Sequence, residues 1–266
     1  MDLGLQDRVI VVTGGASGIG QAITRACLAE NARVVILSRV SPGVEEFMTE
    51  MQAAGRTCDL LRMELDDPEA CKAAIAHVEQ QYGRLDGLVN NAGVNDSVGL
   101  EHGDVERFQK SLRVNLLHAY ALAHYSLPLL KQTRGAVVNI ASKVALTGQG
   151  NTSGYAAAKG ALLGLTREWA AELLPYGIRV NAVIPAEVMT PAYQAWLGGL
   201  ARPDVTLGHI NAQIPLAHRM TLPEEIAAAV VFLLSPVQSG HTTAQHIHVD
   251  GGYVHLDRML TAGSAT

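Results

Sequence analysis

The chain has 266 residues, 48% of them hydrophobic and 17% charged. Lys and Arg number 20 against 25 Asp and Glu, a net charge of −5, which leaves no basic stripe for nucleic acid. The apolar content and low charge density also exclude a disordered chain.

Glycine is in excess, at 26 of 266 residues against a usual share of about 7%. No collagen-like period accompanies it, so these glycines are expected at special backbone positions. Cys27, Cys58 and Cys71 are odd in number and form no Cys-x-x-Cys pair. That fits a reducing cytosol and argues against a disulfide framework or a thiolate zinc site. Met1–Asp7 carries neither a basic n-region nor an apolar h-region. The longest apolar run, Ile226–Leu234, is far shorter than the ~18 residues of a membrane span. A cytoplasmic protein with no membrane partner is expected.

In chain order, Val9–Val12 reads as a buried strand and Ile19–Glu30 as a helix with apolar residues at helical spacing. Val34–Leu37 is a second strand, followed by a helix over Pro42–Ala54. A weaker strand covers Thr57–Met63. Pro68, a good first-turn residue, opens a helix to Tyr82. Leu88–Asn90 ends a fourth strand, and a long helical region spans Val105–Leu130. Ala136–Ile140 is the fifth strand. A helix over Gly154–Leu174 leads to a sixth strand at Ile178–Val183. Pro223 starts a helix over Glu224–Leu234, and His246–Val249 is the seventh strand.

Continuous apolar strands alternating with long helices indicate βαβ units and a parallel sheet. No linker or repeat interrupts the pattern, so one α/β domain over residues 1–266 is expected. Residues 187–217 are the exception. Pro191, Pro203, Pro215, Gly198, Gly199 and Gly208 predict a long loop there, of the kind that binds substrate.

Thr13-Gly14-Gly15-Ala16-Ser17-Gly18-Ile19-Gly20 follows the first strand and opens the first helix. Glycines there permit a tight turn and a close backbone approach to a pyrophosphate, and the helix N-terminus supplies N–H donors. Tyr155 and Lys159 are four residues apart, on one face of a helix. A phenol is a poor base near neutrality, with an ordinary pKa of about 10. A neighbouring ammonium and a positively charged nicotinamide would lower that value and let Tyr155 take a hydroxyl proton.

These segments, with Asn90-Asn91-Ala92-Gly93, Asn115 and Ser142, resemble the short-chain dehydrogenase/reductase family in order and spacing over nearly the whole chain. The resemblance implies a three-layer, doubly wound Rossmann-type sheet of about seven parallel strands and a nicotinamide dinucleotide. It makes Asn115, Ser142, Tyr155 and Lys159 the catalytic set. Ser142 positions the reacting oxygen, Lys159 also donates to the nicotinamide ribose, and Asn115 links Lys159 to solvent through water. It assigns Gly14, Ser17, Gly18, Ile19 and Gly20 to the phosphates, and Asn91, Ala92 and Gly93 to the ribose approach. Glu64-Leu65 occupies the adenine-contacting position, with Glu in place of the family's Asp. Pro185, Val188 and Thr190 flank the nicotinamide, with Thr190 on the carboxamide.

Ser38-Arg39 ends the second strand without an acid. A carboxylate there selects NAD, whereas Ser and Arg can donate to a 2′-phosphate. NADP is therefore the expected cofactor, with NAD also possible.

Four segments, Asn91–Gly99, Thr147–Tyr155, Ile184–Pro191 and Val249–Arg258, resemble bacterial L-fucose dehydrogenases, a sugar-oxidising branch of the family. That implies oxidation of an anomeric hydroxyl to an aldonolactone, with L-fucose, L-galactose and D-arabinose as related substrates. The residues favour a polyol independently. Asn95, Asp96, Lys143, Gln149, Asn151 and Glu187 are polar and lie beside the catalytic motifs, and each sugar hydroxyl taken from water needs a new partner. Trp196 could stack on a sugar face or pack at a subunit interface. Three rival readings remain: a 3-oxoacyl reductase of the same family, a non-catalytic NADP sensor, and a metal site at His246-x-His248. The last lacks a third ligand at a convincing spacing, so no metal is expected. Family members are usually tetramers, which makes a homotetramer the expected assembly.

Overall fold

The computed structural model describes residues 2–257. Seven parallel strands form one sheet in the order β3-β2-β1-β4-β5-β6-β7. They are β1 (Val9–Thr13), β2 (Arg33–Ser38), β3 (Asp59–Arg62), β4 (Gly87–Asn90), β5 (Ala136–Ile140), β6 (Arg179–Pro185) and β7 (His246–Val249). Strands β1, β4, β5 and β6 are buried along their whole length. Burial on both faces is why their sequences are continuous apolar runs rather than alternating ones.

Helices cover both faces. They are α1 (Gly18–Ala29), α2 (Pro42–Ala53), α3 (Pro68–Tyr82), α4 (Val105–Leu112), α5 (His118–Thr133), α6 (Ser153–Leu173), α7 (Pro191–Gly198), α8 (Pro203–Ala212) and α9 (Pro223–Leu234). One core lies between the sheet and α1, α2 and α9, around Ile10, Ile36, Phe47, Val138 and Ile226. The other lies under α3, α5 and α6, around Leu37, Val78, Leu88, Leu122 and Trp169. The result is the three-layer, doubly wound α/β fold that the sequence pattern predicts.

Buried polar groups pin the layers. Asp86, just before β4, accepts from Arg8 Nη1 at 2.7 Å, from Arg84 Nη2 at 2.8 Å and from the Val9 amide at 2.9 Å. The bonds from Arg8 and Val9 fix β1 beside β4. Arg179 opens β6 and donates to Leu233 O at 2.7 Å and Leu234 O at 3.2 Å. It thereby satisfies carbonyls that the last turn of α9 leaves without partners.

Two elements depart from the sequence reading. The expected helix over Val105–Leu130 is divided by a π-helical turn at Arg113–Leu117, and α5 then runs on to Thr133. The expected loop over 187–217 contains α7 and α8. Pro191 and Pro203 are the first residues of these two helices, a position where a missing N–H is no loss.

Candidate active site

Between β1 and β4 the strand order reverses, and ligands of open α/β sheets bind beyond the carboxyl ends of the strands at that point. Thr13 closes β1 there. Its hydroxyl accepts from the Asn91 and Ala92 amides, both at 2.9 Å, and Asn91 Nδ2 donates back to Thr13 O at 2.8 Å. The end of β4 is thus tied to the glycine turn. Gly14 and Gly18 have φ of +63° and +52°, in the region that side chains rarely enter. A Cβ on Gly20 would collide with Gly14 O and with Asn91 Nδ2. Ser17 sits at the N-cap of α1 without a capping hydrogen bond, and the first turn, which contains Ile19, carries no acid. Free N–H donors at a helix N-terminus beside a bare glycine turn fit a dinucleotide pyrophosphate.

The flanking positions surround this turn. A Cβ on Gly18 would lie 3.2 Å from Thr190 Cγ2, so the start of α7 packs on the phosphate turn. Thr190 Oγ1 also caps α7, accepting from the Tyr193 amide at 3.2 Å. Pro185 ends β6, and Val188 is buried in a bridge to Thr221. Ser38 is half-buried, whereas Arg39 is exposed and makes no hydrogen bond or ion pair among the described residues. Glu64 is exposed and Leu65 half-buried just beyond β3.

At the end of β5 the fold brings Asn115, Ser142, Tyr155 and Lys159 together. Lys159 is buried on α6, and its Nζ donates to Ile140 O at 2.8 Å. Burial lowers its pKa to about 8. Its ammonium stands 5.6 Å from the centre of the Tyr155 ring, while Ser142 hydrogen-bonds the Tyr155 side chain. Asn115 lies in the π-helical turn. Its Oδ1 accepts from the Val94 amide at 2.7 Å and its Nδ2 donates to Ser111 O at 3.0 Å. A Cβ on Gly93 would sit 3.1 Å from both Asn115 Oδ1 and Lys159 Nζ, so only glycine leaves that corner open.

In the chain alone, burial pushes the Tyr155 phenol above its ordinary value, and the Ser142 bond offsets only part of that. The Lys159 ammonium is held beside the Tyr155 ring by its bond to Ile140 O.

Beside Ser142, Lys143 and Glu187 form a largely buried ion pair. The Tyr253 ring lies 4.2 Å from Lys143 Nζ. The Tyr193 phenol hydrogen-bonds Glu187, and burial together with that carboxylate pushes its pKa up. Tyr253 reaches this place because Gly251 and Gly252, with φ of +62° and +80°, turn the chain after β7. Asp250 holds the turn, accepting from the Gly252 and Val254 amides at 2.8 and 3.0 Å. Glu187 and Tyr253 then line a cavity of about 240 Å³ together with Thr206, His209, Ile210 and Gln213 of α8 and its C-cap.

The other expected substrate residues are not joined to this cluster. Asn95 is exposed and accepts from the Ser97 amide in a local turn at 3.3 Å. Gln149 and Asn151 are exposed on the loop before α6, with Asn151 at φ +55° against Gly99. Trp196 is 50% exposed, stacks edge-on to Tyr193 and does not line the cavity.

Sequence reasoning missed Tyr193, Tyr253 and the α8 wall. The 206, 209, 210 and 213 spacing was a helical stripe hidden by the surrounding prolines and glycines. It also missed His118, at the start of α5, which is buried beside Lys159 and hydrogen-bonds the backbone at Ala92 and Val114. The His246-x-His248 pair is engaged locally. His246 Nε2 lies 3.2 Å from Leu163 O, and the His248 and His255 rings are 4.3 Å apart. No group of three metal-ligating side chains occurs among the described residues, nor does any helix there have the length and apolarity to cross a membrane.

Comparison with known proteins agrees with this geometry. A family profile described as Enoyl-(Acyl carrier protein) reductase matches residues 14–254. The chain is 33% identical to the 3-oxoacyl-[acyl-carrier-protein] reductase FabG of Thermotoga maritima, covering 94% of this chain and 99% of that one. It is 34% identical to the L-fucose dehydrogenase of Oryctolagus cuniculus, covering 92% and 84%. Among solved structures, Cj0485 dehydrogenase superposes with a TM-score of 0.91 at 40% identity, over 97% of this chain and 98% of the other. Ligand-free aldohexose dehydrogenase AldT of Thermoplasma acidophilum gives 0.87 at 30% identity, again over 97% and 98%. With the glycine turn at the sheet's switch point and the profile spanning almost its whole length, the chain belongs to the short-chain dehydrogenase/reductase family of NAD(P)-dependent oxidoreductases.

Proposed function

We propose that the protein oxidises a free sugar at its anomeric hydroxyl to the aldonolactone, with L-fucose, L-galactose and D-arabinose as substrates and NADP as the preferred cofactor. The observation that carries this reading is the largely buried Lys143–Glu187 pair beside Ser142, bordered by Tyr193 and Tyr253. Two charges held out of water need further hydrogen-bond partners, and the hydroxyls of a sugar supply them. The acyl chain of a 3-oxoacyl thioester does not. Likeness to an L-fucose dehydrogenase and to an aldohexose dehydrogenase supports the same substrate class.

In this reading Ser142 holds the anomeric oxygen and Tyr155 takes its proton. The nicotinamide supplies the hydride acceptor. Lys159 holds positive charge near Tyr155, which favours the phenolate that burial alone opposes. Gly14, Ser17, Gly18, Ile19 and Gly20 receive the pyrophosphate, and Asn91, Ala92 and Gly93 the ribose. Glu64 and Leu65 flank the adenine, while Pro185, Val188 and Thr190 flank the nicotinamide. Ser38 and the unpaired Arg39 receive the 2′-phosphate. The enzyme is cytoplasmic and tetrameric in this reading, and exposed Leu117, Tyr120 and Leu174 suit subunit contact.

Initial rates over a panel of free sugars with NADP and NAD, with the lactone identified, test the proposal. A 3-oxoacyl thioester serves as the competing substrate. Reduction of the thioester without oxidation of any sugar would replace the sugar reading by that of an acyl reductase. Dinucleotide binding without any turnover would make the chain a sensor.

A further inference from the structure

We infer that the inner face of α8 is the wall that reads the end of the sugar remote from its anomeric carbon, with Ile210 facing the substituent on C5. The inference rests on the sugar reading above and deepens it. Thr206, His209, Ile210 and Gln213 follow an i, i+3, i+4, i+7 spacing, so they share one side of the helix. They line the 240 Å³ cavity together with Glu187 and Tyr253. Glu187 is ion-paired to Lys143, the residue after Ser142. A ring held at Ser142 by its anomeric oxygen, with hydroxyls directed at the Lys143–Glu187 pair, therefore projects its far edge toward α8.

The composition of the wall matches that edge. Thr206, His209 and Gln213 offer hydrogen-bonding groups, whereas Ile210 is its one aliphatic chain. A 6-deoxyhexose carries hydroxyls on C3 and C4 and one apolar group, the methyl on C5. Hydroxyls must recover hydrogen bonds lost from water, and a methyl gains by meeting an apolar surface. The pairing of Ile210 with the C5 methyl satisfies both.

L-Fucose, L-galactose and D-arabinose test this directly, because the same ring carries methyl, hydroxymethyl or hydrogen at C5. The wild type is expected to favour L-fucose over D-arabinose by roughly tenfold in kcat/KM, the usual worth of one alkyl group in an apolar pocket. Ile210→Ala should reduce that ratio to about two, with an unchanged denaturant midpoint as evidence of an intact fold. Ile210→Asn should raise L-galactose relative to L-fucose. Thr206→Val should lower all three rates together and leave their ratios alone. Unchanged ratios in both Ile210 variants, with the wild type still oxidising sugars, would overturn the inference and spare the sugar reading. If the wild type oxidises none of the three, both fall.

Discussion

Lys159 Nζ donates to the carbonyl oxygen of Ile140 over 2.8 Å, which ties the middle of α6 to the last residue of β5. The bond sets where the buried ammonium stands relative to Tyr155. It also explains why a cation survives in a buried place: the carbonyl replaces part of its lost hydration. Lys159→Met should lower kcat/KM by about 10²- to 10³-fold, in the range lost with an acid–base group. Tyr155→Phe should lose at least as much while titrating NADP with an unchanged Kd. Wild-type-like turnover in Tyr155→Phe would remove the phenol from the chemistry.

Arg39 governs the second prediction. It is exposed at the end of β2 without a partner among the described residues, so its guanidinium is available to an anion. Replacing it by Asp should cut kcat/KM with NADP by roughly 10²-fold, because a charge-assisted bond is exchanged for repulsion. The NAD value should hold or rise. Equal losses with both dinucleotides would mean that Arg39 does not touch the 2′ position.

The Lys143–Glu187 pair gives a prediction that separates stability from substrate binding. Glu187→Gln leaves a buried ammonium uncompensated and should destabilise the fold by about 3 kcal/mol. Adding Lys143→Met should restore most of that stability. The sugar KM, however, should stay raised by roughly tenfold or more in the double variant, since both charged partners of the hydroxyls are gone. Denaturant melts and sugar kinetics on the two variants check this, and a normal sugar KM in the double variant would exclude the pair from the substrate site.

How far the site was legible in the sequence follows from where its signals are local. Val9–Thr13, Gly14, Gly18 and Gly20 carry strand and turn within a dozen residues, and both elements are where the pattern puts them. Tyr155 and Lys159 share a helix face for the same reason. The π-helical turn holding Asn115 leaves no such trace, because Arg113–Leu117 reads like the helix on either side. In 187–217 the prolines read as breakers, although a proline in a first turn starts a helix. Tyr253 could not be read at all, since its approach to Lys143 joins residues far apart in the chain through the turn at Gly251–Gly252.

His118 supplies a pH dependence with a definite sign. It is buried at the start of α5, and burial, then the Lys159 charge, lower its pKa from 6.5 to about 4. Between those values the unfolded chain binds a proton that the folded chain does not. Stability is therefore fully present above pH 6.5 and is lost as pH falls toward 4. The contribution at stake is about 3 kcal/mol, from ~1.4 kcal/mol per pKa unit. His246 and His248, also lowered by partial burial, act in the same direction. Glu225, held at about 2 by Arg219, acts at lower pH. A comparison of wild type with His118→Asn isolates the one residue. The wild type's stability, measured by denaturant unfolding at pH 7.5, 6 and 4.5, should fall more steeply than the variant's, with most of the difference appearing below pH 6.5. Parallel decline in the two proteins would show that His118 is not the buried neutral group described here. A steeper decline in the variant would reverse the sign and place a proton on His118 in the folded state.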